Sequence, residues 1–177
     1  MNSNIKPVNK NIKRPRKRKT RIKKKLIERL IKISRVSKVT KGGKKLSFQA
    51  IMVVGDGKGK VGIGIAKAGD VITAVQKAKA LGKKNFINIP ITKSFSIPHD
   101  TSGTFGACKI IMRPAIEGSG VIAGSSIRTV LEVAGIKNVI AKQLGSNNLL
   151  NNARASINAL NSLVTKSHIL RKRSLNK

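Results

Sequence analysis

Gly57, Gly59 and Gly62 stand at the spacing G-x-G-x-x-G, which lets a backbone wrap a dinucleotide pyrophosphate. That chemistry needs a strand before the glycines and a helix opening at them, so that phosphate oxygens meet helix N–H groups. Here a β-prone run, Val61 to Ala66, follows instead, and Gly59-Lys60-Val61 lacks the Lys-Ser/Thr ending of a phosphate loop. The pattern reads as a hairpin turn whose glycines bring the backbone, Lys58 and Lys60 close to phosphates.

Acid–base catalysis needs titratable groups gathered in one pocket, and the acids Glu28, Asp56, Asp70, Asp100, Glu117 and Glu132 are scattered singly. His99-Asp100 with Ser102 nearby has the residue types of a triad, but neighbours in an extended segment point to opposite sides. Two histidines and one cysteine supply no metal-ligand spacing. Cys108, just before the apolar run Ile110 to Met112, reads as a buried small hydrophobe, and a lone cysteine fits a reducing compartment. The sequence reads as a protein without catalytic site, cofactor or metal.

Charge points to the partner. The 177 residues hold 38 Lys plus Arg against 6 Asp plus Glu, a net +32, which repels itself in a compact state unless a polyanion neutralises it. Nucleic acid supplies that counter-charge. A membrane does not fit: no stretch approaches the roughly 18 consecutive apolar residues of a spanning helix, and the basic run Lys10 to Lys25 lacks an apolar face. With no Trp or Tyr and only Phe48, Phe86, Phe95 and Phe105, all read as core, the chain has no aromatic platform for stacking single-stranded bases. Recognition of folded RNA by shape and phosphate contact remains.

The elements that position these residues follow from patterning. Residues 1–25 form a basic arm, read as disordered when free, with no acid, no apolar h-region and a Lys and Asn bias unlike an organelle transit peptide. The apolar residues from Leu26 to Val39 fit either a short helix or a twisted strand. Lys41-Gly42-Gly43-Lys44 is a turn, Leu46 to Val54 a buried strand, and Val61 to Ala66 the next. Asp70 is placed to cap a helix that buries Val71, Val75, Ala78 and Leu81 and ends at Gly82, with Lys77, Lys79, Lys83 and Lys84 in and after its last turns. A boundary falls near Asn85 to Asn88.

Beyond it, segments near Phe95 to Ile97 and Lys109 to Arg113 read as extended. The Gly-rich turn Gly118 to Gly124 leads to a helix capped by Ser125 or Ser126, with Ile127, Val130, Leu131 and Ala134 on one face and Gly135 as its stop. Val139 to Leu144 is a short strand. Asn147 or Asn148 caps a last helix carrying Leu150, Ala153, Ile157, Leu160 and Val164, and Arg171-Lys172-Arg173 belongs to a basic tail.

Three motifs carry a resemblance. Arg35 to Lys44, Val53 to Gly62, and Pro114 to Gly124 with Arg128 to Gly135 resemble, in that order, the bacterial-type small-subunit ribosomal protein number five, over about Leu26 to Leu163. The resemblance implies an α+β fold. It has an N-terminal three-stranded sheet plus helix like a double-stranded-RNA-binding domain (26–86), then a split β-α-β domain with two helices on a sheet (87–165), before the basic tail (166–177). It also implies that the ambiguous segment is a strand. The hairpin loop of Arg35, Ser37, Lys38, Lys41, Gly42, Gly43, Lys44 and Lys45 is expected to meet ribosomal RNA at the head–body junction, near where spectinomycin binds, with Lys58 and Lys60 as further contacts. Gly118, Gly120 and Arg128 are expected at the interface with small-subunit protein four, which affects decoding accuracy. Contacts to protein eight and to the messenger RNA entry region complete the partners. A Lys, Asn and Ile bias points to an AT-rich genome such as a plastid's, with a bacterial cytoplasm as the other location.

Two other functions compete with a structural ribosomal role. A free RNA- or DNA-binding regulator would need surface acids to live without its polyanion, which +32 opposes. An enzyme built on the β-α-β domain would need the phosphate loop and metal carboxylates that the sequence lacks, and fold kinship carries no activity.

Overall fold

The computed structural model describes residues 26–175, so the expected basic arm lies outside the described residues. Strand β1 (Ile27–Thr40) is rich in β-branched residues and pairs antiparallel with β2 (Gly43–Gly55), which pairs with β3 (Lys60–Ala68). A bulge between Leu30 and Lys32 breaks the alternation of β1. That extra residue is why the apolar spacing imitates a helix. After helix α1 (Val71–Lys84), the two-residue strand β4 (Ile87–Asn88) joins β3, so the first sheet runs β1-β2-β3-β4 and reaches past residue 86.

The second sheet is built from β5 (Thr101–Phe105), β6 (Cys108–Pro114), β7 (Val121–Ile122) and β8 (Val139–Gly145), in the order β5-β6-β8-β7. Among the described residues its one parallel pair is β7 with β8, and the crossover between them is helix α2 (Ser125–Ala134). Helix α3 (Leu149–Asn161) follows β8, and α4 (Lys166–Leu175) closes the described chain, so part of the expected basic tail is helical. This is the expected α+β architecture.

One apolar cluster binds the two sheets. Val53, Val61 and Ile63 of the first sheet are buried with Ile110 and Met112 of the second, and with Ile127, Val130, Leu131 and Leu160 of α2 and α3 between them. A smaller cluster, Ala50, Met52, Ala74 and Ala78, lies under α1 on the other face of the first sheet.

Several expectations are corrected. Helix α1 does not stop at Gly82 and does not bury Leu81; its buried line is Ala74, Ala78 and Gly82, while Leu81 is 39% exposed. The cause is close approach, because a Cβ on Gly64 would run into the Ala78 carbonyl and one on Gly62 into that of Gly82. Asp70 sits at the cap position but uses its carbonyl, which accepts from Ala74 N–H (3.1 Å) and Thr73 Oγ1 (2.9 Å). At α2 the cap position is Gly124, with no side-chain bond, and Ser126 is buried inside the helix. Asn148 does cap α3, its side chain accepting from Leu150 N–H at 3.1 Å.

Phe95 and Ser96 are bent rather than extended, Ile97 belongs to no strand, and Phe95 takes a left-handed conformation at φ 54. The real strand, β5, has Thr101 and Gly103 on its buried side, where Thr101 Oγ1 donates to the Ala159 carbonyl (3.0 Å). Of the four phenylalanines read as core, Phe48 and Phe105 are partly buried and pack against the two clusters, Phe86 is half-buried, and Phe95 is exposed. Lys137 lies over the half-exposed Phe95 ring (4.5 Å) and Arg154 over that of Phe105 (4.9 Å).

Candidate RNA interface

The β1–β2 hairpin extends beyond the packed part of the first sheet and closes on the two-residue turn Lys41-Gly42. Only Gly43 of the glycine pair takes a positive φ, +132, and Thr40 Oγ1 donates to its carbonyl at 3.0 Å. A Cβ at either glycine would meet nothing within 4 Å, so the tip is open on all sides.

The register assigns the cations to faces. Arg35, Ser37 and Val39 share one face with Lys44, Leu46 and Phe48, while Lys38 lies opposite Lys45 on the other. Arg35, Lys38, Lys41, Lys44 and Lys45 are all exposed, and none of the ion pairs among the described residues involves them. Like charges directly opposite across a ladder destabilise it. The hairpin therefore offers a dense positive field without an internal counter-ion.

The Gly57–Gly59 loop is arranged differently from the expectation. Asp56 Oδ1 accepts from the N–H groups of Lys58 (2.9 Å) and Lys60 (3.0 Å), which folds the loop on itself. Gly57 N–H donates to the Val133 carbonyl (3.2 Å) and Gly59 N–H to that of Ala134 (2.9 Å). These are terminal carbonyls of α2, which have no partner inside the helix. The Leu131 and Glu132 carbonyls are met by Gly135 and Ile136 N–H groups at the left-handed Gly135. The loop glycines thus join the two sheets' units, and their N–H groups are spent on protein carbonyls, not free for phosphate. The side chains of Lys58 and Lys60 stay exposed beside the joint.

On α1, Lys79 and Lys83 both pair with Glu28 of β1, the latter at 3.2 Å. The hydrogen bond from Lys79, reinforced by Lys83, holds the Glu28 carboxyl below the ordinary value against the opposing effect of burial. Lys77 and Lys84 are exposed and outside the ion pairs among the described residues. The α4 helix adds Lys166, Arg171, Lys172 and Arg173, likewise exposed.

Gly118 and Gly120 both take left-handed conformations, φ 91 and 73, and both donate to Asn138 Oδ1. Arg128 stands on the exposed face of α2, its Nε held by Glu132 at 2.8 Å. No hydrogen bond among the described residues joins Arg128 to either glycine. Asn138 was not identifiable from sequence, since a single Asn after a helix stop carries no distinctive pattern.

The triad-like residues are occupied otherwise. His99 Nδ1 faces the Asp100 carbonyl (2.7 Å) and its Nε2 accepts from Val164 N–H (3.1 Å), while the Asp100 carboxylate pairs with Arg113 (3.3 Å). Cys108 is buried, its Sγ on the Ser146 carbonyl at 3.2 Å. Among the described residues no three His, Cys, Asp or Glu side chains gather as a metal site, and no helix is long and apolar enough to cross a membrane.

The comparisons agree with this division of the chain's elements. Residues 26–90 match the family described as Ribosomal protein S5, N-terminal domain, and residues 103–173 match Ribosomal protein S5, C-terminal domain. A relative from Trieres chinensis, named small ribosomal subunit protein uS5c, is 67% identical over 175 residues, covering 99% of this chain and 95% of its own. Small ribosomal subunit protein uS5 of Nostoc punctiforme is 63% identical over 148 residues, 84% of this chain and 85% of its own, and uS5c of Cyanophora paradoxa is 60% identical over 148 residues, 84% and 88%. With both halves matched in chain order and relatives aligned along nearly all its length, the chain belongs to the ribosomal protein S5 family, structural constituents of the small ribosomal subunit rather than enzymes.

Proposed function

We propose that the β1–β2 hairpin is the chain's principal ribosomal RNA contact, docking at the head–body junction of the small subunit through Arg35, Lys38, Lys41, Lys44 and Lys45, with Ser37 and the glycine tip admitting close backbone approach. The observation that carries this reading is the open hairpin whose five cations lack any acid among the described residues that pairs with them. Lysines on an extended finger suit phosphate contact, which positions a protein on folded RNA without reading bases. Lys58 and Lys60, on the loop at the opposite end of β2 from the hairpin tip, offer a second cationic contact.

On this reading the Gly118–Gly120 loop and Arg128 face small-subunit protein four and contribute to decoding accuracy. The second sheet's helix-free face, where Lys109, Arg113 and Lys142 alternate with Ile111, Ile140 and Leu144, is the surface offered to protein eight. The chain also borders the messenger RNA entry region. The relatives named uS5c, together with the Lys, Asn and Ile bias, favour a plastid ribosome as its location.

The test is a hydroxyl-radical footprint of small-subunit RNA with the parent chain and with a chain carrying Gln at the five hairpin cations. Loss of protection confined to the head–body junction is expected. Protection unchanged there, or lost uniformly, would remove the hairpin from its assigned place.

A further inference from the structure

Asn138 lies between the end of α2 and the start of β8 and is only 7% exposed. A buried carboxamide must find partners for both its oxygen and its nitrogen, or the burial costs free energy. Here the oxygen accepts from Gly118 N–H (3.1 Å) and Gly120 N–H (3.4 Å), and Nδ2 donates to the Ser94 carbonyl (2.7 Å). The backbone beside it adds Lys137 and Asn138 N–H bonds to the Phe95 carbonyl (2.8 and 3.2 Å) and a Val139 N–H bond to that of Gly120 (3.2 Å). One side chain thus holds the turn at 92–96 and the turn at 116–120 against the end of α2.

The second turn has little else to fix it. Ser119 bonds internally, its N–H and Oγ both reaching the Ile116 carbonyl (3.2 and 2.7 Å). A Cβ at Gly118 or Gly120 would touch nothing within 4 Å, and Ile116 at the turn is 86% exposed. Packing therefore does not choose the conformation of this loop. Two left-handed glycines with N–H groups converging on one acceptor are a backbone arrangement that a single carboxamide oxygen selects.

We infer that Asn138 is the positioning residue of the Gly118–Gly120 loop, preorganising it for docking on a neighbouring protein; the inference rests on the proposal that this loop is a protein–protein interface. An interface loop that is already ordered loses less entropy on association than one that must be fixed at that moment. The oxygen is the operative atom for the loop, and the nitrogen serves only the Ser94 side. Asn138→Asp keeps the acceptor and Asn138→Leu keeps the approximate volume while removing it.

The test uses the full chain and ribosomes carrying it. In Asn138→Leu, amide exchange at Gly118 and Gly120 should rise by about tenfold or more, the scale of one lost net hydrogen bond, while Asn138→Asp keeps their protection. Near-cognate misreading, which a merely structural core change would not move without an assembly defect, should shift by at least about threefold in Asn138→Leu and stay near parent in Asn138→Asp. Ile116→Asp, at the exposed turn itself, reports on the interface reading independently. If Ile116→Asp shifts misreading and Asn138→Leu does not, the positioning role is wrong while the interface stands. Should neither shift it, the interface reading fails and the inference falls with it. Unchanged exchange at the two glycines in Asn138→Leu overturns the inference whatever the misreading does.

Discussion

Lys38 faces Lys45 directly across the β1–β2 ladder, on the side of the hairpin opposite Arg35 and Lys44. In the free protein the two ammonium groups repel, and when phosphate lies between them the same pair becomes a clamp. The stability of the hairpin and its affinity for RNA should then respond to substitution in opposite directions. Changing both to Gln is expected to stabilise the free chain by a few tenths of a kcal/mol, the scale of a cross-strand like-charge pair. The slope of log affinity against log salt should fall by roughly two units if each lysine neutralises one duplex phosphate. Urea unfolding of the free protein and RNA binding across a salt series check the two halves, and an unchanged salt slope would place these lysines away from RNA.

The glycine pair at the tip separates strain from space. Gly42 and Gly43 both look onto open solvent, but only Gly43 is left-handed. Gly43→Val should strain the turn by on the order of 1 kcal/mol or more, whereas Gly42→Ala should be close to neutral in stability. Both cores should survive, because no buried residue touches the tip. If the hairpin sits beside the spectinomycin site, ribosomes with Gly43→Val will also change in drug sensitivity or subunit assembly. Parent-like values of both would leave the turn an ordinary hairpin end.

What could be read from sequence was whatever local chemistry dictates. Helices α2 and α3 showed the 3.6-residue period because one side of each is buried, and Gly135 announced its left-handed stop, although α3 ends at Asn161 and leaves Val164, expected on it, beyond its end. The cationic Gly-Gly turn was legible because its signal is a run of adjacent residues. Other features were not, each for a physical reason. The bulge at Leu30/Lys32 disguised β1. The Thr and Gly that line the buried side of β5 carry no apolar alternation, and their fit depends on α3, where the carbonyl that accepts from Thr101 lies 58 residues later. Gly82 looked like a helix end because a glycine needed for contact with a strand has the same letter as a glycine needed for a turn. The bonding of Gly57 and Gly59 to α2 and of Asn138 to two turns is tertiary, and no spacing rule reports it.

Glu28 gives a pH-dependent contribution whose sign can be worked out. Its folded pKa lies below the ordinary value of 4.5, chiefly through the Lys79 hydrogen bond. A carboxyl with a depressed folded value stabilises the protein above its unfolded value, and that stabilisation is lost as pH falls through the folded one. The lysine partners are 36% and 45% exposed, so solvent screening keeps the contribution to about 1 kcal/mol or less. Glu28→Gln should therefore lower the urea midpoint at pH 7 and approach the parent as the pH drops below the carboxylate range. A difference that persists undiminished in acid would mean that lost packing, not the ion pairs, separates the two proteins.

The loop at Gly57 to Gly59 decides between a phosphate cradle and a joint. Gly59 is buried and left-handed at φ +96, its N–H on the Ala134 carbonyl and its own carbonyl accepting from Ile89 N–H at 2.7 Å. A Cβ there would collide with the Ile89 carbonyl oxygen, a backbone atom that cannot swing aside. Gly59→Ala should then cost at least about 2 kcal/mol, combining a disfavoured φ with steric displacement at a packed site. A phosphate cradle would respond otherwise, losing RNA affinity at nearly constant stability. The companion change Lys58→Gln with Lys60→Gln should do the reverse of Gly59→Ala, leaving unfolding nearly untouched and lowering the salt slope of RNA binding by up to about two units. Urea unfolding and RNA titration of both variants, measured side by side, assign the glycine to the joint and the lysines to the interface. If Gly59→Ala instead matches the parent in stability and loses affinity, the backbone of this loop belongs to the RNA after all.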